Sequence, residues 1–119
     1  MQNLNEGDES KEFDVLQVAF RIYSAEKSPV RKECLKRLAV DYPGLNERQY
    51  ADTWGRVDAL FEQSCQLAFR WANENPAGAE IDEDIIENVF LDELARKCRG
   101  FTNDQYKFAL IHGFDRSIF

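Results

Sequence analysis

Two glutamine–arginine pairs carry the side chains in this chain best suited to chemistry: Gln17 with Arg21, and Gln66 with Arg70. A spacing of four places both members of a pair on one strip of a helix, because residues i and i+4 stack above one another. A guanidinium offers a planar fork of N–H donors that matches a carboxylate or a phosphate, and a neighbouring carboxamide adds a donor and an acceptor. Two such strips facing each other would line a cleft for a small anion. The competing expectation is that both strips face solvent, with the arginine stems covering apolar surface.

Other chemistry finds little footing. His112 is the one histidine, and Cys34, Cys65 and Cys98 are the three cysteines. Their spacing matches neither CxxC nor HExxH, so neither a metal nor a cofactor is expected. The cysteines fall at apolar helical positions and read as buried free thiols. The acidic run Glu80, Asp82, Glu83, Asp84 and Glu87 departs from the D-x-[DN]-x-[DN]-G calcium loop and reads instead as charge gathered at a helix N-terminus, where it is stabilising. The sequence holds no glycine-rich phosphate loop and no GxSxG elbow, and no catalytic residue is assigned.

The elements that must position these residues repeat along the chain. Gln17-Val18-Ala19-Phe20-Arg21 returns as Gln66-Leu67-Ala68-Phe69-Arg70, and each copy runs on to a proline, Pro29 or Pro76. After each proline a second block recurs in register: Leu35, Leu38, Ala39, Gly44, Gln49 and Tyr50 return as Leu91, Leu94, Ala95, Gly100, Gln105 and Tyr106. The pattern LA-x4-G-[LF]-[NT]-x2-QY distantly resembles that of small ubiquitin-binding three-helix domains. Their signature loop residues are not matched here, and no function is carried over. Order and register predict a tandem duplication, with repeat units over about 10–60 and 61–119.

Apolar residues at spacings of three and four predict five helices. The first, from Ser10 to about Ala25, turns Phe13, Leu16, Phe20 and Tyr23 inward. The second opens on Ser28 as cap and Pro29 in the first turn, buries Val30, Cys34, Leu35 and Leu38, and stops at Pro43-Gly44. The third runs from the Asn46 cap to about Asn75, with Gly55 its only weak point. The fourth spans Asp82 to Gly100, and the fifth begins at the Thr102 cap. The predicted architecture is an all-α helical bundle of five helices, built from two tandem three-helix units that share the long central helix. Residues 1–9 form a flexible polar tail, and 10–119 a single all-α domain.

Charge bounds the partners. With 119 residues, 31% charged and a formal net charge of -7, the chain is a poor general ligand for nucleic acid or anionic membrane, both of which reward cationic surfaces. No apolar run approaches the roughly 18 residues needed to span a bilayer, so a cytoplasmic location and no membrane partner are expected. The charge is also segregated: the second helix carries Lys27, Arg31, Lys32, Lys36 and Arg37, while its counterpart carries the acidic run together with Asp92 and Glu93. Segregated charge steers encounter, so the partner is expected to be another protein, with a homo-oligomer as one version. The function expected is a non-catalytic cytoplasmic protein–protein interaction module: a small acidic adaptor, regulator or neutralising partner. The alternative is a small anionic ligand-binding protein, or an enzyme, using the Arg21/Arg70 cleft at a pseudo-two-fold. A nucleic-acid mimic is the weaker alternative.

Overall fold

Helical periodicity governs every described part of the chain. The structure, a computed structural model, describes residues 4–25, 30–74 and 90–118, and side chains over 11–25, 30–74 and 90–115. It contains helices α1 (Leu4–Ala25), α2 (Arg31–Asp41), α3 (Glu47–Glu74), α4 (Leu91–Lys97) and α5 (Asn103–Ile118), with no strand among the described residues. The chain divides into two compact units, Met1–Asp58 and Ala59–Phe119. The boundary falls inside α3, whose 28 residues run unbroken through Gly55 for about 42 Å.

In the first unit α1 buries Val15, Leu16, Ala19, Phe20 and Ile22, while α2 contributes Cys34 and Leu38, and α3 contributes Tyr50, Trp54 and Val57. Tyr23 stacks obliquely on Trp54, centroids 5.3 Å apart, and its hydroxyl donates to the Asp58 carboxylate at 3.3 Å. In the second unit Leu60, Phe61, Leu67, Ala68 and Trp71 from α3 are buried, as are Leu94 of α4 and Tyr106, Ala109, Leu110 and Phe114 of α5. Phe114 packs against Trp71 and Phe90 at 5.8 and 5.9 Å. Its neighbour Gly113 lets α5 lie directly on the backbone of α3 at Ser64: a Cβ there would stand 2.8 Å from the Ser64 carbonyl carbon and oxygen. Ser64 is fully buried, and its hydroxyl donates to the Leu60 carbonyl at 2.8 Å, so no polar atom is stranded at the crossing.

Each unit contains a corner in which a helix stops, the chain turns, and the next helix starts, and the two corners carry the same bonds 56 residues apart. The last turn closes through Tyr42 N–H to the Leu38 carbonyl and, equivalently, Cys98 N–H to the Leu94 carbonyl, both 2.8 Å. Gly44 and Gly100 follow at φ 102° and 104°. Any residue with a Cβ would be strained in that left-handed region, which is why glycine recurs there. The next helix then opens on a reciprocal capping box. Asn46 Oδ1 accepts from Gln49 N–H at 2.8 Å while Gln49 Oε1 accepts from Asn46 N–H at 2.9 Å. Thr102 and Gln105 exchange the same bonds at 3.2 and 2.9 Å. Finally a tyrosine locks the corner. Tyr50 OH donates to the Tyr42 carbonyl at 2.7 Å and accepts from Leu45 N–H at 3.2 Å. Tyr106 OH donates to the Cys98 carbonyl at 2.6 Å and accepts from Phe101 N–H at 3.4 Å.

Several expectations need correction. Helix α1 begins at Leu4, so residues 4–9, expected in the polar tail, are helical. Helix α2 begins at Arg31, after an extended Val30 that makes no side-chain cap. Val30 therefore lies off the helical lattice that turns Cys34 and Leu38 inward, and it is 57% exposed rather than buried. Phe13 is also exposed, because it falls at the margin of the buried arc of α1, about 100° from its centre. Cys34 and Cys98 are buried, whereas Cys65 is half-buried. Ser28, Pro29, Lys27 and the residues 75–89, including the acidic run and the expected start of the fourth helix, lie outside the described residues.

Candidate functional site

Helix α2 presents the clearest surface of chemical character. Only Cys34 and Leu38, four apart, are buried, and that single inward row leaves Arg31, Lys32, Lys36 and Arg37 exposed. Lys32, Lys36 and Val40 stand one above another at spacings of four, and Val40 is 77% exposed. Arg37 pairs with Asp41 at 3.8 Å on the neighbouring row. Among the described residues, Lys32 and Lys36 have no ion pair. The row thus displays two uncompensated ammonium groups beside an uncovered apolar side chain.

The two glutamine–arginine pairs sit in different settings. On α1 Gln17 is half-buried and Arg21 exposed; on α3 both Gln66 and Arg70 are exposed. Phe20 is buried but its counterpart Phe69 is 55% exposed, so the two matching blocks do not present the same face. The guanidinium of Arg70 is already held within its own unit, donating to Glu93 Oε1 of α4 at 2.9 Å. The other carboxylate oxygen lies 3.2 Å from the Lys97 ammonium, without a well-aligned hydrogen bond. Hydrogen bonding from Arg70, with the nearby positive charge of Lys97 in support, outweighs desolvation and holds the Glu93 carboxyl below the usual glutamate range. The same bond raises the Arg70 guanidinium above its ordinary value. A periodicity argument could place Arg70 on a strip, but not find Glu93 for it, because that meeting depends on how α4 docks.

Two further features were not foreseen. In the first unit an open groove of about 300 Å³ is lined by Lys11, Glu12 and Val15 of α1, Leu45, and Gln49, Asp52, Thr53 and Arg56 of α3. Its walls carry both signs of charge, and Gln49 is committed to the capping box. In the second unit α5 exposes Phe108 and Ile111, at 45% and 48%. Phe108 lies parallel to the His112 ring at 6.5 Å, and Phe61 meets both rings edge-on. His112, half-buried between aromatic rings, is placed as a packing residue. Among the described residues no group of three or more His, Cys, Asp or Glu is placed to hold a metal ion, and no helix is long and apolar enough to cross a membrane.

Comparison with protein-family models, with curated proteins and with solved structures gives no match for this chain. Its surfaces, read physically, are what bear on function.

Proposed function

We propose that the chain is a non-catalytic protein–protein interaction module whose docking face is the outer row of α2. The observation that carries this reading is the row Lys32, Lys36 and Val40: two cations without ion pairs next to a valine that is 77% exposed. Complementary charge sets encounter rate and partner choice, and an apolar residue beside such a patch gains free energy once a partner removes it from water. The partner surface is accordingly acidic with an apolar edge.

The same reading takes the chain as a duplicated three-helix unit whose copies have diverged in charge. The matching corners at 38–50 and 94–106 support it. The helix before the first corner carries the exposed cations in excess, while α4, before the second, sets Asp92 and Glu93 in its first turn against Arg96 and Lys97 in its last. An anion cleft between Arg21 and Arg70 draws less support, since Arg70 is engaged by Glu93. A nucleic-acid mimic rests on net charge alone.

The test is affinity capture with the immobilised chain, run beside Lys32→Glu/Lys36→Glu. A partner binding α2 should be held at least about tenfold more weakly by the double variant, since losing roughly 1.4 kcal/mol already costs that factor. Equal retention by both proteins, with unchanged helical content, rules α2 out as the docking face.

A further inference from the structure

Taking α2 as a docking face, we infer that one partner it fits is a second copy of this chain, engaged through the outer stripe of α5. That stripe is Asp104, Phe108, Ile111 and Asp115, at spacings of four, three and four, which keeps all of them on one line of the helix. All four are exposed, and the two carboxylates bracket the two apolar side chains about 16 Å apart. The α2 row is the converse: Lys32 and Lys36 with Val40, spanning about 12 Å. Laid along the stripe, Val40 and the lysine stems cover Phe108 and Ile111. The ammonium groups reach the aromatic face and the flanking carboxylates.

The charges also exclude the pairing of like faces. Two α5 stripes face to face would bring carboxylates together, and two α2 rows would bring lysines together. Only α2 of one copy on α5 of another pairs opposite signs. Among the described residues, neighbouring charges do not reverse this. Lys107 and His112 are half-buried at the edges of the α5 stripe, and beside the α2 row Glu33 stands next to Arg37, itself tied to Asp41. A contact between unlike faces is either made twice, reciprocally, in a two-fold dimer, or made once, head-to-tail; a head-to-tail pair keeps one free α2 and one free α5, and assembly then continues until the rotation closes a ring. Both faces are small, which places the contact in the weak, transient class and makes it sensitive to salt.

The experiment is sedimentation of the full chain at about 0.5 mM in low salt, a concentration chosen for that weak class. The wild type should exceed its 13.8 kDa monomer mass and return to it at about 0.5 M salt. Lys32→Glu/Lys36→Glu and Asp104→Lys/Asp115→Lys should each be monomeric alone, and their equimolar mixture should associate, because each then supplies the sign the other lost. Ile111→Ser, which leaves every charge in place, should weaken association as well. A monomeric wild type, an associating Asp104→Lys/Asp115→Lys variant, or a mixture that stays monomeric overturns the self-docking. Binding of a polyglutamate peptide separates the two levels of the argument. Binding by a monomeric wild type, lost in Lys32→Glu/Lys36→Glu, leaves α2 as a docking face and removes only the second copy as its partner; no binding and no association removes both.

Discussion

Replacing Gly113 by alanine tests a close helix crossing in the second unit. The added Cβ would stand 2.8 Å from the Ser64 carbonyl carbon and oxygen and 3.0 Å from the Cys65 nitrogen. Comfortable carbon contacts begin near 3.5 Å, so α5 must retreat from α3 by about 0.7 Å. The obstructing atoms are main chain and cannot rotate away. Overpacking of this kind costs about 1–3 kcal/mol, offset by roughly 1 kcal/mol from exchanging glycine for alanine inside a helix, for a net loss of about 1 kcal/mol. Gly55 is the internal control: it lies inside α3, is exposed, and a Cβ there meets nothing within 4 Å. Gly55→Ala should therefore gain up to about 1 kcal/mol from the same exchange. The two variants should separate by about 2 kcal/mol in urea unfolding followed by far-ultraviolet circular dichroism, or by roughly 8 °C in Tm for a chain of this size. Trp54 and Trp71 lie one in each unit, so fluorescence from the matching single-tryptophan background shows which unit each change affects. Finding Gly113→Ala as stable as Gly55→Ala would refute the backbone-on-backbone crossing.

Other consequences follow from the corners and the ion pair. Tyr50→Phe and Tyr106→Phe each remove a hydroxyl that donates to a carbonyl and accepts from an N–H, and each should cost about 1–3 kcal/mol in denaturant unfolding, with similar values for the two. A large loss for one and none for the other would break the equivalence of the corners. The lowered folded-state pKa of Glu93 means its contribution to stability is complete above the ordinary glutamate range and disappears as pH falls through the folded value. Glu93→Gln should accordingly be less stable than wild type near pH 7, with the gap narrowing from about pH 5 downward. A gap that stays constant to pH 3 would mean that Glu93 is not held ionised by Arg70.

The legible parts of the fold were those written in short-range pattern. Leu16, Phe20, Cys34, Leu38, Trp54, Val57 and Leu110 are all buried, as helical spacing requires. The Asn46 and Thr102 caps are seen because a cap and its partner stand three residues apart on the chain. Val30 and Phe13 were misplaced for a related reason. Periodicity reports that a residue is apolar on a helical lattice, but neither where the lattice starts nor how wide the buried arc becomes. The candidate surfaces were legible only in composition. The cations of α2 stand in the sequence, but that Lys32 and Lys36 lack ion pairs while Arg70 has one depends on which helices meet.

Local order in the chain settled the five helices of the described residues, the unbroken passage of α3 through Gly55 and the twin glycine-to-tyrosine corners. Each of these is a matter of backbone preference and bonds between residues fewer than ten positions apart. Tertiary packing decided the rest. It brought Gly113 onto the Ser64 backbone, gave Arg70 its partner in Glu93, buried Phe20 while exposing Phe69, and left Val40, Phe108 and Ile111 exposed. Those outcomes depend on contacts between residues far apart in sequence, and an amphipathic pattern, which fixes only the angle of a side chain about its own helix, carries no record of them.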